Sequence, residues 1–334
     1  MKVKHFITIL FVSVALNLAA QKSGNTTYSF LEVATNARNT ALAGTAISQK
    51  GALNQLTDNA AFIDSSDHNI SFNYNNFVGG INGGALFFQP IKKGAKYAIS
   101  FQYFNYGDIL QTDEAGNIIG NFSWNDMALA TYFKLPSYKN IRFGASVKVV
   151  YSIYDVYQTM GLGVDFGAYK TLKEDKGHIG LVIKNIGTQL ISYGETTEFL
   201  PLNLQFGYAK KLDKAPFTVS LLANNLQTWN LAYDDGSGIT IDPITGEENK
   251  EWFSFDKLAR HFAGGIEFAP FNSFKLRLGY NHQLRREMSL ATRNGFAGFS
   301  MGLGLAFNRF LFEYGVSGYH LSGSAHVISL NTKI

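Results

Sequence analysis

Seven histidines are the first residues to test for chemistry in this 334-residue chain: His5, His68, His178, His261, His282, His320 and His326. None falls in an H-E-x-x-H or other paired-ligand spacing, so they read as surface or rim histidines rather than metal ligands. There is no cysteine. That excludes a thiol nucleophile, cysteine-ligated zinc or iron–sulfur, a disulfide scaffold and a lipid-modified N-terminal cysteine. The run Gly161-Leu162-Gly163-Val164-Asp165-Phe166-Gly167 has one residue too many for a dinucleotide loop, and it lies inside a strand pattern. Glycine on a row facing an interior, making room for a plug or a bend, accounts for it better. No nucleophile, base and orienter can be assembled, so no enzyme, metal or cofactor is expected.

The remaining candidates are loops. Asp234, Asp235, Asp242, Glu247 and Glu248 crowd 234–248 without EF-hand spacing, which fits a solvated acidic loop better than a calcium site. Arg285, Arg286 and Arg293 fall in 284–295; they suit an acidic partner or lipopolysaccharide phosphates, or simply water. Trp229, Tyr233, Trp252 and Phe253 fall in 227–261 and either pack on a rim or form a binding surface. With Tyr106 and Asp108, the residues Trp229, Tyr233, Trp252, Arg285, Arg286 and Arg293 make up the expected partner-docking set.

The elements that must carry these loops are written in the composition. Hydrophobic residues make up 46% but charged ones only 16%, against roughly 25% in ordinary soluble domains. There are 28 Phe, 17 Tyr and 33 Gly. A net charge of +4 is too small for a nucleic-acid binder, and a mean hydropathy of −0.03 excludes a polytopic helical membrane protein. Lys2 and Lys4, the apolar run Phe6 to Leu16 and Leu18-Ala19-Ala20 have the layout of a secretory signal peptide over 1–20.

Beyond it, large apolar residues alternate with small or polar ones. Leu162, Val164, Phe166 and Ala168 oppose the glycines and Asp165; Phe299, Met301, Leu303, Leu305 and Phe307 oppose Ser300, Gly302, Gly304 and Ala306. Fourteen segments follow this rule: 69–78, 82–91, 95–105, 124–134, 141–154, 157–170, 177–187, 200–211, 215–226, 262–270, 273–283, 296–307, 309–319 and 323–333. Most match the roughly 9–11 residues of a tilted spanning strand. The long connections, 106–123, 188–199, 227–261 and 284–295, are all odd-numbered, and the even-numbered ones are short. An outer-membrane barrel sorts its loops this way. Lys148, Asp165, Glu267, Arg277 and Glu313 sit opposite the large apolar rows, where a charge escapes the lipid-face cost of about 2–4 kcal/mol. The expected fold is all-β: a 14-stranded antiparallel transmembrane barrel over 69–334. Residues 21–68 form an N-terminal plug or a periplasmic tail, with a short helix within Asn36 to Ile47.

Several stretches together resemble the PorQ group of the PorV/FadL-like barrel family. They are Thr27-Tyr28-Ser29-Phe30-Leu31-Glu32, Asn36 to Gly44, Phe101 to Gly107, Asp113 to Asn117, Lys184 to Gln189, Arg260-His261 and Gly315 to Gly323. The resemblance implies a FadL-like barrel in a Bacteroidetes-type outer membrane. It also implies a place in the type IX secretion attachment complex, with PorU and PorV, holding a PorZ-like surface protein. Asn59-Ala60-Ala61 departs from the family's Asn-Pro-Ala, and the chain ends in Ile334 rather than an aromatic.

Two functions follow as expectations, with no nucleic-acid partner. The first is an anchor for that surface partner, docking through 106–123, 227–261 and 284–295. The alternative is a FadL-like transporter of hydrophobic small molecules, which a continuous apolar pocket between plug and wall would favour. A third, an open porin, is opposed by the N-terminal segment.

Overall fold

The computed structural model describes residues 27–63, 69–90, 96–172, 176–231, 239–241, 248–250, 254–288, 295–320 and 323–333. The expected leader and much of the acidic loop 234–248 lie outside them.

Fourteen strands close into an antiparallel barrel. In chain order they are β1 (Ile70–Asn76), β2 (Asn82–Phe88), β3 (Tyr97–Thr112), β4 (Ile118–Tyr138), β5 (Ile141–Tyr154), β6 (Tyr157–Thr171), β7 (Gly177–Ile191), β8 (Asn203–Lys211) and β9 (Phe217–Ala223). A detached hairpin, β10 (Ile239–Ile241) and β11 (Glu248–Lys250), interrupts the sequence. The barrel resumes with β12 (Phe262–Phe271), β13 (Phe274–Asn281), β14 (Phe299–Phe307), β15 (Phe310–His320) and β16 (Gly323–Thr332). Each strand pairs with its barrel predecessor, and β1 pairs with β16 to close the ring.

The face assignment follows from the alternation. Along β1, Ser71, Asn73 and Asn75 are buried while Phe72 and Tyr74 point outward. Along β13 and β14, Leu276, Leu278, Met301 and Leu305 are exposed, and Arg277 and Ser300 are buried inside. A closed sheet has no unpaired edge, so its backbone is satisfied without water. An outward belt of Phe, Leu, Ile, Val and Tyr suits a hydrocarbon surround.

Several boundaries differ from the sequence reading. The stretch 106–123 is not an irregular loop: β3 runs on to Thr112 and β4 starts at Ile118, leaving only 113–117 as a turn. Residues 106–112 and 118–123 pair only with each other, beyond the reach of β2 and β5. Polar residues and Gly107 hid this extension, since Gly107 lies in a bulge at a φ of 77°. β7 extends to Ile191, into the expected loop 188–199, and β4 extends to Tyr138. The region 227–261 contains the β10–β11 hairpin and a short helix, α2 (Phe255–Ala259). α3 (His282–Met288) replaces the start of the 284–295 loop. β8 and β9 are shorter than expected.

Residues 27–63 lie inside the barrel. They hold one short helix, α1 (Ala37–Ala41), and several single turns of 3₁₀-helix. Tyr28 meets Thr159 near the long-loop end, and Phe62 packs on Tyr169 near the short-turn end. The plug therefore runs down the lumen before the chain enters β1.

Asn59 fixes the lower turn despite the Asn-Ala-Ala departure. Its side chain accepts from Ala61 N (2.9 Å) and donates to Ile47 O (3.0 Å) and Ala168 O (3.2 Å). Asn59→Ala should cost about 2 kcal/mol, because it removes a cap and strands buried carbonyls. Urea unfolding in detergent micelles checks this; an unchanged midpoint refutes it.

Candidate functional site

The lumen is where this chain's polar chemistry collects. Arg277 on β13 lies between Glu313 on β15 (2.8 Å) and Glu267 on β12 (2.8 Å). Arg38 of the plug meets the same Glu267 at 3.2 Å and also binds Lys50 O, Gln49 and Gln55. Across the lumen Lys148 on β5 pairs with Asp165 on β6 at 2.8 Å and donates to Asn185 on β7. The in-strand charges thus sit on the lumen row, and one of them grips the plug. Their pairwise links were not legible, because residues such as Arg38 and Glu267 are 229 positions apart.

Below this network the lumen is filled by apolar side chains. Leu53, Leu56, Ala60, Ala61, Phe62 and Ile63 pack against Phe87, Ala98, Ala130, Tyr132 and Tyr169. Wall glycines admit the plug backbone: a Cβ at Gly144 would sit 2.1 Å from Ala60 O, and one at Gly315 would sit 2.3 Å from Ala37 O. Any side chain at those positions would collide with the plug.

Above it, plug and wall separate. A cavity of about 280 Å³ lies between Glu32, Asn39 and Ala43 of the plug and the inner face of β7 to β9 and β13 to β16. Its upper lining, Asn224, Asn225, Gln283, Leu284 and Glu287, follows β9 and β13, so it faces the long-loop end. A second space of about 50 Å³ continues from Glu32 and Lys184 toward Asp58, Lys148 and Asp165. Apolar side chains such as Leu222, Phe77 and Val327 alternate in the lining with amides, hydroxyls and charges. The continuous apolar pocket is absent from the described residues.

A bulge sets one wall of this cavity. Asp165 on β6 faces two residues of β7, Lys184 and Asn185, so both turn inward. Asn185 adopts a φ of 61°, and its N–H donates to Asp165 at 2.7 Å. Strict alternation would have placed one of the pair outside.

Of the predicted docking residues, Tyr106, Asp108, Trp229, Arg285 and Arg286 are described, and they lie at separate places around the long-loop end. Tyr106 stacks on Trp124 with ring centroids 4.6 Å apart and donates to Asp126 at 2.7 Å, lining the mouth from within. Asp108 is exposed on the β3 extension. Trp229 stacks on His261, which is buried rather than a surface histidine, its ring nitrogens facing Asn224 O and Trp229 O. Arg285 donates to Gly295 O and Ala297 O, tying α3 to the chain just before β14. Tyr233, Trp252 and Arg293 lie outside the described residues. The sequence reading missed Glu32, Lys184 and Glu287; for Lys184, only a break in alternation at Lys184-Asn185 could have flagged it. Among the described residues no three His, Asp or Glu side chains converge on a metal position.

Arg286 belongs to a rim joint rather than a free basic patch. Asp256 on α2 lies 2.9 Å from Arg260, 3.0 Å from His282 and 2.9 Å from Arg286, tying α2 to α3. Partial burial would push the Asp256 carboxyl up. Hydrogen bonds from His282 and Arg260 and the charges of Arg260 and Arg286 prevail, holding it below the usual carboxylate range. A depressed folded value gives stability that is present above the unfolded pKa, about 3.9, and is lost as pH falls through the folded value. Asp256→Asn should therefore loosen 254–288 at pH 7 by about 0.5 kcal/mol, a small figure because the group is solvent-screened. Wild type should approach the variant only in strong acid. Hydrogen exchange over these residues checks it; equal exchange at pH 7 refutes it.

No family model matches the chain, and no curated protein matches it. Solved structures do. The CymD monoaromatic hydrocarbon channel superposes with a TM-score of 0.52 at 12% identity, covering 90% of this chain and 98% of its own. The Pseudomonas putida toluene transporter TodX gives 0.51 at 11% identity, covering 88% and 98%. A Pseudomonas aeruginosa FadL homologue aligns at 0.48 and 10% identity, covering 89% and 97%. At such identities the likeness is one of fold alone, a closed 14-stranded antiparallel barrel.

Proposed function

We propose that this chain is an outer-membrane uptake barrel that passes small molecules from its long-loop face, with residues 27–63 as the stopper. The cavity between plug and wall, open toward the long loops and closed beneath by the packed Leu53–Ile63 segment, carries the reading. The likeness in fold to channels and transporters such as CymD and TodX supports it. The outward apolar belt supports an outer-membrane location. Swelling of proteoliposomes holding the full-length protein tests it. Solute-driven swelling above that of empty liposomes is expected. No swelling, even with a variant whose plug is loosened, overturns it.

A second reading has its own observation. The outer part of the β3–β4 extension carries Leu110, Ile118 and Ile119 exposed by 58–64%. Such side chains gain by being covered. They support anchoring of a PorZ-like surface protein of the type IX secretion attachment complex, beside PorU and PorV. Deleting the gene and comparing surface and medium fractions tests this: release of one surface protein supports it, and intact attachment overturns it.

A further inference from the structure

The lining of the lumenal cavity carries two carboxylates and two buried amide oxygens that accept no hydrogen bond among the described residues. Glu32 of the plug and Glu287 of α3 both line it, against the single cation Lys184. Lys184 itself lies within the fields of Asp58 and Asp165, as well as Glu32. It makes no hydrogen bond or ion pair to any of them among the described residues. Two buried amides on the same lining are incomplete. Gln205 donates to Asn224 and Asn225 donates toward Gln283, yet Gln205 Oε1 and Asn225 Oδ1 accept nothing among the described residues. A buried acceptor without a donor is costly.

A hydrocarbon in this space would leave both amide oxygens unpaired. A neutral sugar would supply donors but no charge opposite to the two carboxyls. An ammonium group supplies three donors and the missing charge at once. The volume, about 280 Å³, is at the small end for ligand pockets, which typically start at roughly 300 Å³.

We infer that the cavity takes a small hydrophilic solute carrying an ammonium group, held with Glu32 and Glu287 as its counter-charges. This rests on the uptake reading and names its substrate class. Glu32 stands on a fixed turn of the plug, Ser29–Glu32, so a solute bound there touches the stopper itself.

The test uses the full-length protein refolded in detergent micelles, with glucosamine, glucose and toluene as probes. Glucosamine and glucose differ only in the ammonium group. Titration calorimetry should show glucosamine binding about tenfold or more tighter than glucose, the range of one hydrogen bond to a charged group. Glu32→Gln should remove most of that preference, and so should Glu287→Gln, which lies on the rim helix outside the barrel strands. The preference should shrink as salt rises. Equal binding of the two sugars, or binding of toluene alone, overturns the inference. Proteoliposome swelling separates the two levels. Passage of any probe without ammonium preference leaves uptake standing and sinks the substrate class. No passage and no binding sinks both.

Discussion

Arg277→Met should destabilise the barrel by about 3–5 kcal/mol, the cost of breaking a buried ion network by removing one member. Arg277 is among the most buried side chains of the protein and holds two carboxylates, Glu267 and Glu313, at 2.8 Å each. Without it Glu313 loses its ion pair, and Glu267 keeps only Arg38. The loss therefore spreads from the wall to the plug. Urea unfolding in micelles, read by the electrophoretic shift between folded and heated protein, gives the number. The triple change Arg277→Met, Glu267→Gln, Glu313→Gln should recover part of it, since it removes the stranded charges as well. A single variant as stable as wild type would show that the network is idle.

Gly144→Leu should open the stopper. The glycine faces Ala60 O so closely that even a methyl group would overlap backbone, and the neighbour cannot rotate away as a side chain would. Overpacking of this kind costs typically about 1–3 kcal/mol. The wall here is a closed hydrogen-bonded sheet, while the plug segment 60–62 is one turn of 3₁₀-helix. The plug should yield first. Solute flux in proteoliposomes should rise several-fold, and a protease added from the short-turn side should cut within 53–63. Gly264→Ala is the control, because its Cβ would meet only Leu221 at 3.9 Å. Unchanged flux and protection in Gly144→Leu would mean that the wall, not the plug, absorbs the strain.

The strands were legible because lipid and lumen impose opposite demands on adjacent residues. Phe72, Leu278 and Met301 could be placed outward, and Asp165 and Arg277 inward, from period two alone. What escaped has physical causes too. The β3–β4 extension leaves the apolar belt, so its residues answer to no alternating rule. Lys184 and Asn185 break the rule by a bulge, and the bulge builds the cavity wall. The cavity itself arises between segments such as Glu32 and Glu287 that no local pattern relates. Loop membership relates the docking set in sequence but does not say which neighbours each side chain's polar groups meet. Tyr106 and Arg285 spend their polar groups on neighbours within the rim.

The route of the N-terminal segment also bears on how the molecule can be made. Ala37 N donates to Ser329 Oγ, 292 residues away, and β1 closes the ring by pairing with β16. A stopper already threaded through the lumen cannot enter from the side once that seam is zipped. The seam is then the last junction to form, and until it does both β1 and β16 are naked edges ready to pair with other chains. Contacts of such sequence separation form slowly. Yield on refolding should therefore fall with protein concentration, as edge-to-edge association competes with closure.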